Sequence, residues 1–303
     1  MRSARTLRRR EPRPDVLVRI GLSLVWLLHF LPFGVLRRLG ELFGLALFAF
    51  GRERRRVARI NLGLCFPELD TYAKRRLLRR HFMAFGRSVL ERGIVWWGSR
   101  ESVRRRVQIE GIEHWQAVQD QPVIWLAPHF VGLDMGGVRL TADYRLVSIY
   151  SRQKNAQFDA ILRHGRTRFE PTVLYSRQHG VLPVVRALKK GLPFYYLPDQ
   201  DFGAKDALFV PFFGVPAATV TALPRIAKLA GAVIVPCVTR QTDSGYIMRF
   251  YPAWTDFPSG DLEHDTRRMN EFIEARVREM PEQYFWLHKR FKTRPPGEAR
   301  FYQ

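Results

Sequence analysis

The chain is poor in the signatures that would assign it quickly. It has no G-x-S-x-G turn, no G-x-x-x-x-G-K-[ST] phosphate loop, no G-x-G-x-x-G and no H-E-x-x-H, so serine-hydrolase, nucleotide-triphosphatase, dinucleotide and zincin readings lack their motifs. Only two cysteines occur in 303 residues, Cys65 and Cys237, far apart and outside any C-x-x-C. That excludes a disulfide framework and suits a reducing, cytosol-facing protein in which both are small buried hydrophobes. Acidic residues are scarce, 28 against 50 Lys and Arg, for a formal net charge of +22. Such a balance calls for an anionic partner: nucleic acid, acidic lipid or a phosphorylated substrate. A hydrophobic fraction of 46% with seven Trp excludes a disordered chain and leaves enough apolar material for one large domain or two small ones.

Long apolar runs are confined to the start. Residues 1–14 form a basic arm with six arginines, expected to be disordered. Residues 15–51 divide at Pro32 into Val16–Leu31 and Phe33–Phe50, interrupted by Arg19, Arg37, Arg38 and Glu41. This reads as a retained membrane anchor, either a tilted transmembrane helix or a hairpin in one leaflet. Ile20–Leu36 is uncharged but short for a span, and arginines on both flanks leave its orientation open. An ordinary buried helical hairpin is the structural alternative.

Residues 52–104 form a basic amphipathic helical segment. Arg52, Arg54, Arg55, Arg56 and Arg59 follow the anchor, where anionic headgroups would attract them at about 1 kcal/mol each. From Thr71 to Trp97, Leu77, Leu78, Phe82, Phe85, Val89 and Leu90 recur at helical spacing. Residues 105–303 alternate short apolar runs with helical periods. The strands expected are Val107–Ile109, Val123–Ala127, Arg145–Tyr150, Thr172–Tyr175, Phe194–Leu197, Val233–Thr239 and Ile247–Tyr251. The pattern predicts an α/β domain with a mixed, largely parallel central sheet flanked by helices, its site at the C-terminal ends of strands.

The candidate site begins in Val123–Val138, V-I-W-L-A-P-H-F-V-G-L-D-M-G-G-V. A buried strand runs into a turn carrying His129, with Asp134 in the first turn of the next helix. An imidazole held by a carboxylate is a general base of fixed tautomer, although a structural His at a strand end is an equal reading of so short a motif. Three further stretches stand out. Residues 150–169 place Arg152, Asn155 and Asp159 ahead of Arg163, Arg166 and Arg168, to bind phosphate or to make a salt-bridged surface helix. Residues 197–219 carry Asp199 and Asp201 at a strand end, then an oily, Pro-punctuated loop (Phe209, Val210, Phe212, Phe213, Val215) that suits an acyl tunnel, a bilayer contact or plain core. Residues 284–298 interleave aromatics with cations, a mix also found in single-strand nucleic-acid binders.

Taken together, N-L-x-x-C-F-P-E (61–68), A-P-H-F-x-G-L-D (127–134), R-x-x-N-x-x-x-D (152–159), G-R-x-R (165–168), D-x-D-F-G (199–203), V-P-F-F-G-V-P-A-A-T (210–219) and W-L-H-K-R-F-K-T-R-P-P-G-E (286–298) resemble the bacterial lipid A late acyltransferases, within the lysophospholipid acyltransferase superfamily. These motifs run in family order along nearly the whole chain, and the last is far more specific than the His/Asp pair. That branch often carries Glu where Asp134 stands, which keeps the carboxylate. The resemblance implies a glycerol-phosphate-acyltransferase-like fold. It also implies O-acyl transfer from acyl-carrier protein to a hydroxyl of a Kdo-lipid A precursor, at the inner membrane with the catalytic domain facing the cytoplasm. It implies His129 as base oriented by Asp134, with Arg152, Asn155, Asp159, Arg166, Arg168, Asp199 and Asp201 as substrate-binding candidates. No metal, cofactor or covalent acyl-enzyme is implied, since the thioester is already activated. Acyl-carrier protein, the phosphorylated lipid A precursor and anionic membrane lipids are the expected partners, and nucleic acid is not. A related acyltransferase acting on a lysophospholipid, aminolipid or other glycolipid is the alternative, and a membrane-tethered nucleic-acid-binding protein the remote one.

Overall fold

A computed structural model describes residues 16–302; the basic arm of residues 1–14 lies outside them. The chain opens with helices α1 (Val16–Leu28), α2 (Phe33–Phe50), α3 (Arg52–Cys65), α4 (Thr71–Leu90), α5 (Arg92–Trp97) and α6 (Arg100–Arg106). Strand β1 (Val107–Glu110), α7 (Glu113–Gln116), β2 (Val123–Leu126), α8 (Leu133–Thr141), β3 (Val147–Tyr150), α9 (Ala156–Thr167), β4 (Val173–Ser176), α10 (Leu182–Leu188) and β5 (Phe194–Tyr196) follow in alternation. The chain closes with β6 (Ala207–Phe212), β7 (Val215–Val220), α11 (Ala222–Ala230), β8 (Val233–Gln241), β9 (Tyr246–Phe250) and α12 (Leu262–Glu279).

Seven strands form one sheet in the order β1-β9-β8-β2-β5-β3-β4. Every neighbouring pair is parallel except β8–β9. The mixed, largely parallel sheet expected from strand–helix alternation is what forms. Burial explains why β2 reads as a continuous apolar run. Its alternate residues Ile124 and Leu126 pack into a core on one face with α4 and α10–α12, while Val123 and Trp125 pack into a second core on the other face with α8. Both faces are covered, so no polar position survives.

The expected helix from Thr71 to Trp97 is two: α4 ends at Leu90, and α5 begins after Glu91. Leu77, Leu78 and Phe82 on α4 are buried in the same core as β2, so the basic segment is packed onto the α/β domain. α2 and α4 approach closely through Gly40, Gly44 and Gly86, where a methyl on any one would strike backbone of the facing helix.

No helix among the described residues is long and apolar enough to cross a membrane, so of the two expected forms of the anchor the transmembrane one is not seen among them. The described part of α1 is 13 residues, roughly 20 Å against the ~30 Å of a hydrocarbon core. α2 carries Arg37, Arg38 and Glu41, and Arg37 pairs with Glu41 and Asp243. The two helices still expose apolar surface. On α1, Val16, Ile20, Leu24 and Leu27 form an outward stripe, while Leu22, Val25 and Leu28 lean on the core.

The oily loop at 208–215 is also corrected. β6 and β7 form an antiparallel hairpin turned at Phe213 and Gly214, both with positive φ. Pro211 and Pro216 face each other within it, so prolines that read as loop punctuation sit inside strands. Val210 and Phe212 are fully buried in core, not facing a bilayer.

Candidate active site

His129 sits three residues beyond the end of β2, and Asp199 three residues beyond β5, the adjacent parallel strand. The topology therefore brings together, at the C-terminal edge of the sheet, two residues 70 positions apart. His129 Nδ1 lies 2.6 Å from Asp199 Oδ1, and the His129 backbone N–H donates to both Asp199 oxygens at 3.2 and 3.0 Å. With Nδ1–H donated to the carboxylate, Nε2 keeps its lone pair for a substrate. Burial of Asp199 pushes its carboxyl up, but His129 and Arg290 outweigh it and hold it below the ordinary carboxylate range. Asp199 is 1% exposed against 20% for His129, so the carboxylate is hidden behind a ring that reaches the surface.

This corrects the sequence-based pairing. Asp134 is not the carboxylate on the imidazole. Its Oδ2 takes a hydrogen bond from Arg92 at 3.0 Å and its Oδ1 one from Arg166 at 3.5 Å. Burial raises its carboxyl, and the two guanidiniums more than reverse this. The carboxylate on the imidazole is Asp199, whose expected role was substrate binding.

The far wall of the His129 cleft comes from the C-terminal segment. Phe130 bridges Tyr284 in antiparallel fashion, and Phe285 N–H donates to the His129 carbonyl at 2.9 Å. Asn61 on α3 holds this segment, its amide donating to the Trp286 and His288 carbonyls at 2.7 and 2.8 Å. The cleft so formed, about 220 Å³ and open to solvent, is lined by Asn61, His129, Asp199, Gln200, Tyr284, Phe285, His288 and Arg290. Burial first, then the neighbouring charges of His129 and Arg290, lower the His288 imidazole to about 4, and its Nε2 accepts from the Asp201 N–H. Asn61, Tyr284 and His288 were missed as site residues, though they stand in the N-L-x-x-C-F-P-E and W-L-H-K-R motifs; nothing in spacing alone assigns them.

A second cleft, about 610 Å³ including space open to solvent, is lined in part by Leu133 and Asp134 at the end of the same turn. It is walled by α5, α8, α9 and strands β3–β5, mostly with apolar groups such as Leu133, Val138, Leu162 and Leu174. Asp134 and Arg166 are its charged lining residues. At Gly137 an added Cβ would stand 3.3 Å from the Tyr195 ring, so the missing side chain keeps this cleft open.

Four of the remaining expected site residues are bonded to other groups of the chain itself. Asn155 caps α9, accepting from the N–H groups of Gln157 and Phe158. Asp159 is buried and accepts from Tyr150 Oη and, at 2.6 Å, from Gln153 N–H. Arg168 donates to the carbonyls of Ile94, Val95 and Gly98 at the end of α5, and burial lowers it to about 10. Asp201 accepts from Thr293 N–H at 2.6 Å and its hydroxyl at 2.8 Å, fastening the C-terminal segment to the strand end. A short polar side chain at a turn is as apt to satisfy backbone as substrate, and sequence cannot separate the two. Arg152 is exposed after β3, with no carboxylate partner among the described residues.

A family model described as "Bacterial lipid A biosynthesis acyltransferase" matches residues 7–293. The lipid A biosynthesis lauroyltransferase of Escherichia coli (strain K12) is 32% identical over 92% of this chain and 92% of its own. The palmitoleoyltransferase of the same strain is 32% identical over 93% of both chains. Its myristoyltransferase is 31% identical over 89% of this chain and 83% of its own. Among solved structures, a 1-acyl-sn-glycerophosphate acyltransferase from Thermotoga maritima covers 76% of this chain and 98% of its own at 15% identity and a TM-score of 0.38, too slight a likeness to carry residue roles across.

Proposed function

Because this chain belongs to the bacterial lipid A biosynthesis acyltransferase family, and is an acyltransferase of that pathway, we propose that it moves a fatty acyl chain from acyl-carrier protein to a hydroxyl of a Kdo-lipid A precursor at the inner membrane, catalysed by a His129–Asp199 dyad. The observation that carries this reading is the 2.6 Å contact of Nδ1 with a buried carboxylate, which leaves Nε2 free at the cleft surface. Nε2 takes the proton of the acceptor hydroxyl as its oxygen attacks the thioester carbonyl. The tetrahedral intermediate collapses, the C–S bond breaks, and the imidazolium returns the proton to the departing thiolate. Asp199 stays ionised and stabilises the transient imidazolium. The thioester is already activated, so direct attack in a ternary complex suffices.

The cleft walled by α5, α8 and α9 is assigned to the acyl chain for its apolar lining. Asp134 steadies Arg92 and Arg166, which, with exposed Arg152, are assigned to the acceptor's phosphates and carboxylates. The exposed apolar stripe of α1 is assigned to the membrane, lying in one leaflet with the helix axis in its plane.

The test mixes detergent-solubilised protein with lauroyl- and myristoyl-carrier protein and an under-acylated Kdo-lipid A, and follows product mass. A gain of one acyl chain is the expected result. Gain only on a lysophospholipid or aminolipid would keep the dyad and change the acceptor. The relatives differ in the chain they are named for at nearly equal identity, so chain length must be read from the cleft. Gly137→Leu fills it against Tyr195. Excluding two methylenes costs about 1.6 kcal/mol, so preference should move to a donor two carbons shorter by about 15-fold in kcat/KM. An unchanged chain-length profile would place the acyl chain elsewhere.

A further inference from the structure

The +22 charge is not spread evenly, and one concentration of it has no role in the mechanism above. Between positions 52 and 80 there are ten cations and three anions. Arg52, Arg56 and Arg59 stand exposed on α3, and Arg75, Arg76, Arg79 and Arg80 on α4. None of these seven has a carboxylate partner among the described residues; Glu53, the acid in their midst, is taken by Lys289 at 2.9 Å. The sides of α3 and α4 opposite the arginines are committed to core, through Val57, Ala58, Leu62, Leu77, Leu78 and Phe82. The two helices pack together, so the cations share one helical hairpin.

Lipid and acidic protein are the two anions such a surface fits, and apolar exposure separates them. Along residues 16–50, twelve large hydrophobic side chains are exposed, among them Trp26, Leu27, Phe30 and Phe50. Between 52 and 80 only Tyr72 is. A bilayer-embedded face needs apolar groups to insert, and α1–α2 has them; a predominantly cationic face with one exposed aromatic suits a soluble, acidic partner. Position makes the same choice. α3 is fastened to the wall of the His129 cleft at both ends, by Arg54 to the Leu287 carbonyl at 3.1 Å and Lys289 to Glu53 near its start, and by Asn61 to Trp286 and His288 toward its end. A protein seated on α3 stands beside the cleft that its thioester must enter.

We propose that the arginine face of the α3–α4 hairpin is the docking surface for the acidic acyl-carrier protein. This rests on the reading of the protein as a carrier-dependent acyltransferase. It reassigns Arg52, Arg56 and Arg59 from the lipid headgroups that sequence position suggested.

The experiment compares the full-length solubilised enzyme with two variants, Arg75→Gln/Arg76→Gln/Arg79→Gln/Arg80→Gln and Arg52→Gln/Arg56→Gln/Arg59→Gln. Three quantities are read: Kd for fluorescently labelled lauroyl-carrier protein, kcat at saturating carrier, and co-sedimentation with phosphatidylglycerol vesicles. The expected result is a Kd at least tenfold weaker in each variant, a kcat recovered at saturation, and vesicle binding unchanged. The wild-type Kd should also weaken more steeply with salt than that of either variant. Loss of vesicle binding with an unchanged carrier Kd would make the surface a lipid contact and overturn the proposal. So would an unchanged Kd in both variants while the wild-type enzyme makes product, and in that case the acyl-transfer reading stands. A wild-type enzyme that yields no product from any acyl-carrier protein would overturn both.

Discussion

His129→Ala is expected to lower kcat by about 10³-fold or more, with thermal stability within a few degrees of the parent. The ring is held by one contact at its Nδ1 and is otherwise at the cleft surface, whereas the backbone of the turn is fixed independently: Phe285 N–H donates to the His129 carbonyl, and Val131 N–H to the Gln283 carbonyl at 2.8 Å. Removing the ring therefore removes the base without removing packing that the core needs. The measurement is single-turnover acyl transfer, with a melting curve on the same preparation. A variant that keeps more than a tenth of the rate would disprove the base assignment, and one that melts far below the parent would leave the rate loss to misfolding.

Asp199→Asn is the more discriminating substitution. Its side chain is nearly isosteric, and the Asn carbonyl can still accept from the His129 N–H. The amide NH₂, however, would donate to Nδ1 and drive the imidazole to the tautomer that carries its proton on Nε2, where a base cannot act. A kcat loss of about 10³-fold is expected, with KM for acceptor and donor within a few-fold. Asp134→Asn should do the opposite, raising acceptor KM more than it lowers kcat, because its carboxylate steadies Arg92 and Arg166. Should Asp134→Asn cost kcat as heavily as Asp199→Asn, the base would be oriented in solution by the residue four beyond Phe130, and the dyad would have to be redrawn.

The fold was legible because burial leaves a direct trace in sequence. Val123–Ala127 is apolar throughout since both faces of its strand are covered, and the alternation of such runs with helical periods predicts a largely parallel sheet. The boundaries of the expected strands fell within two residues of the observed ones. The β6–β7 hairpin was not legible, because its prolines face each other across the ladder and a two-residue turn with positive φ at Phe213 has no glycine to mark its first position. His129 was found from its place after a strand. Its partner was not, since the pairing depends on β2 and β5 being neighbours, which is a property of strand order and leaves no local mark. Asp134 drew attention by its nearness in sequence and by the family resemblance. Asn155, Asp159, Arg168 and Asp201 share a different cause: each satisfies backbone groups at an element's end, and the residue types that do so are those that bind phosphate.

The wall opposite His129 has a consequence for how the enzyme comes into being. Asn61 reaches across 225 residues of sequence to Trp286, and Asp201 reaches across 92 to Thr293. The same segment also places Trp286 and Phe291 fully in the core. A chain without the segment 284–293 therefore lacks part of its core as well as the wall of the cleft. Core and site are completed together by this segment, so a chain clipped before residue 284 is expected to lose stability along with activity.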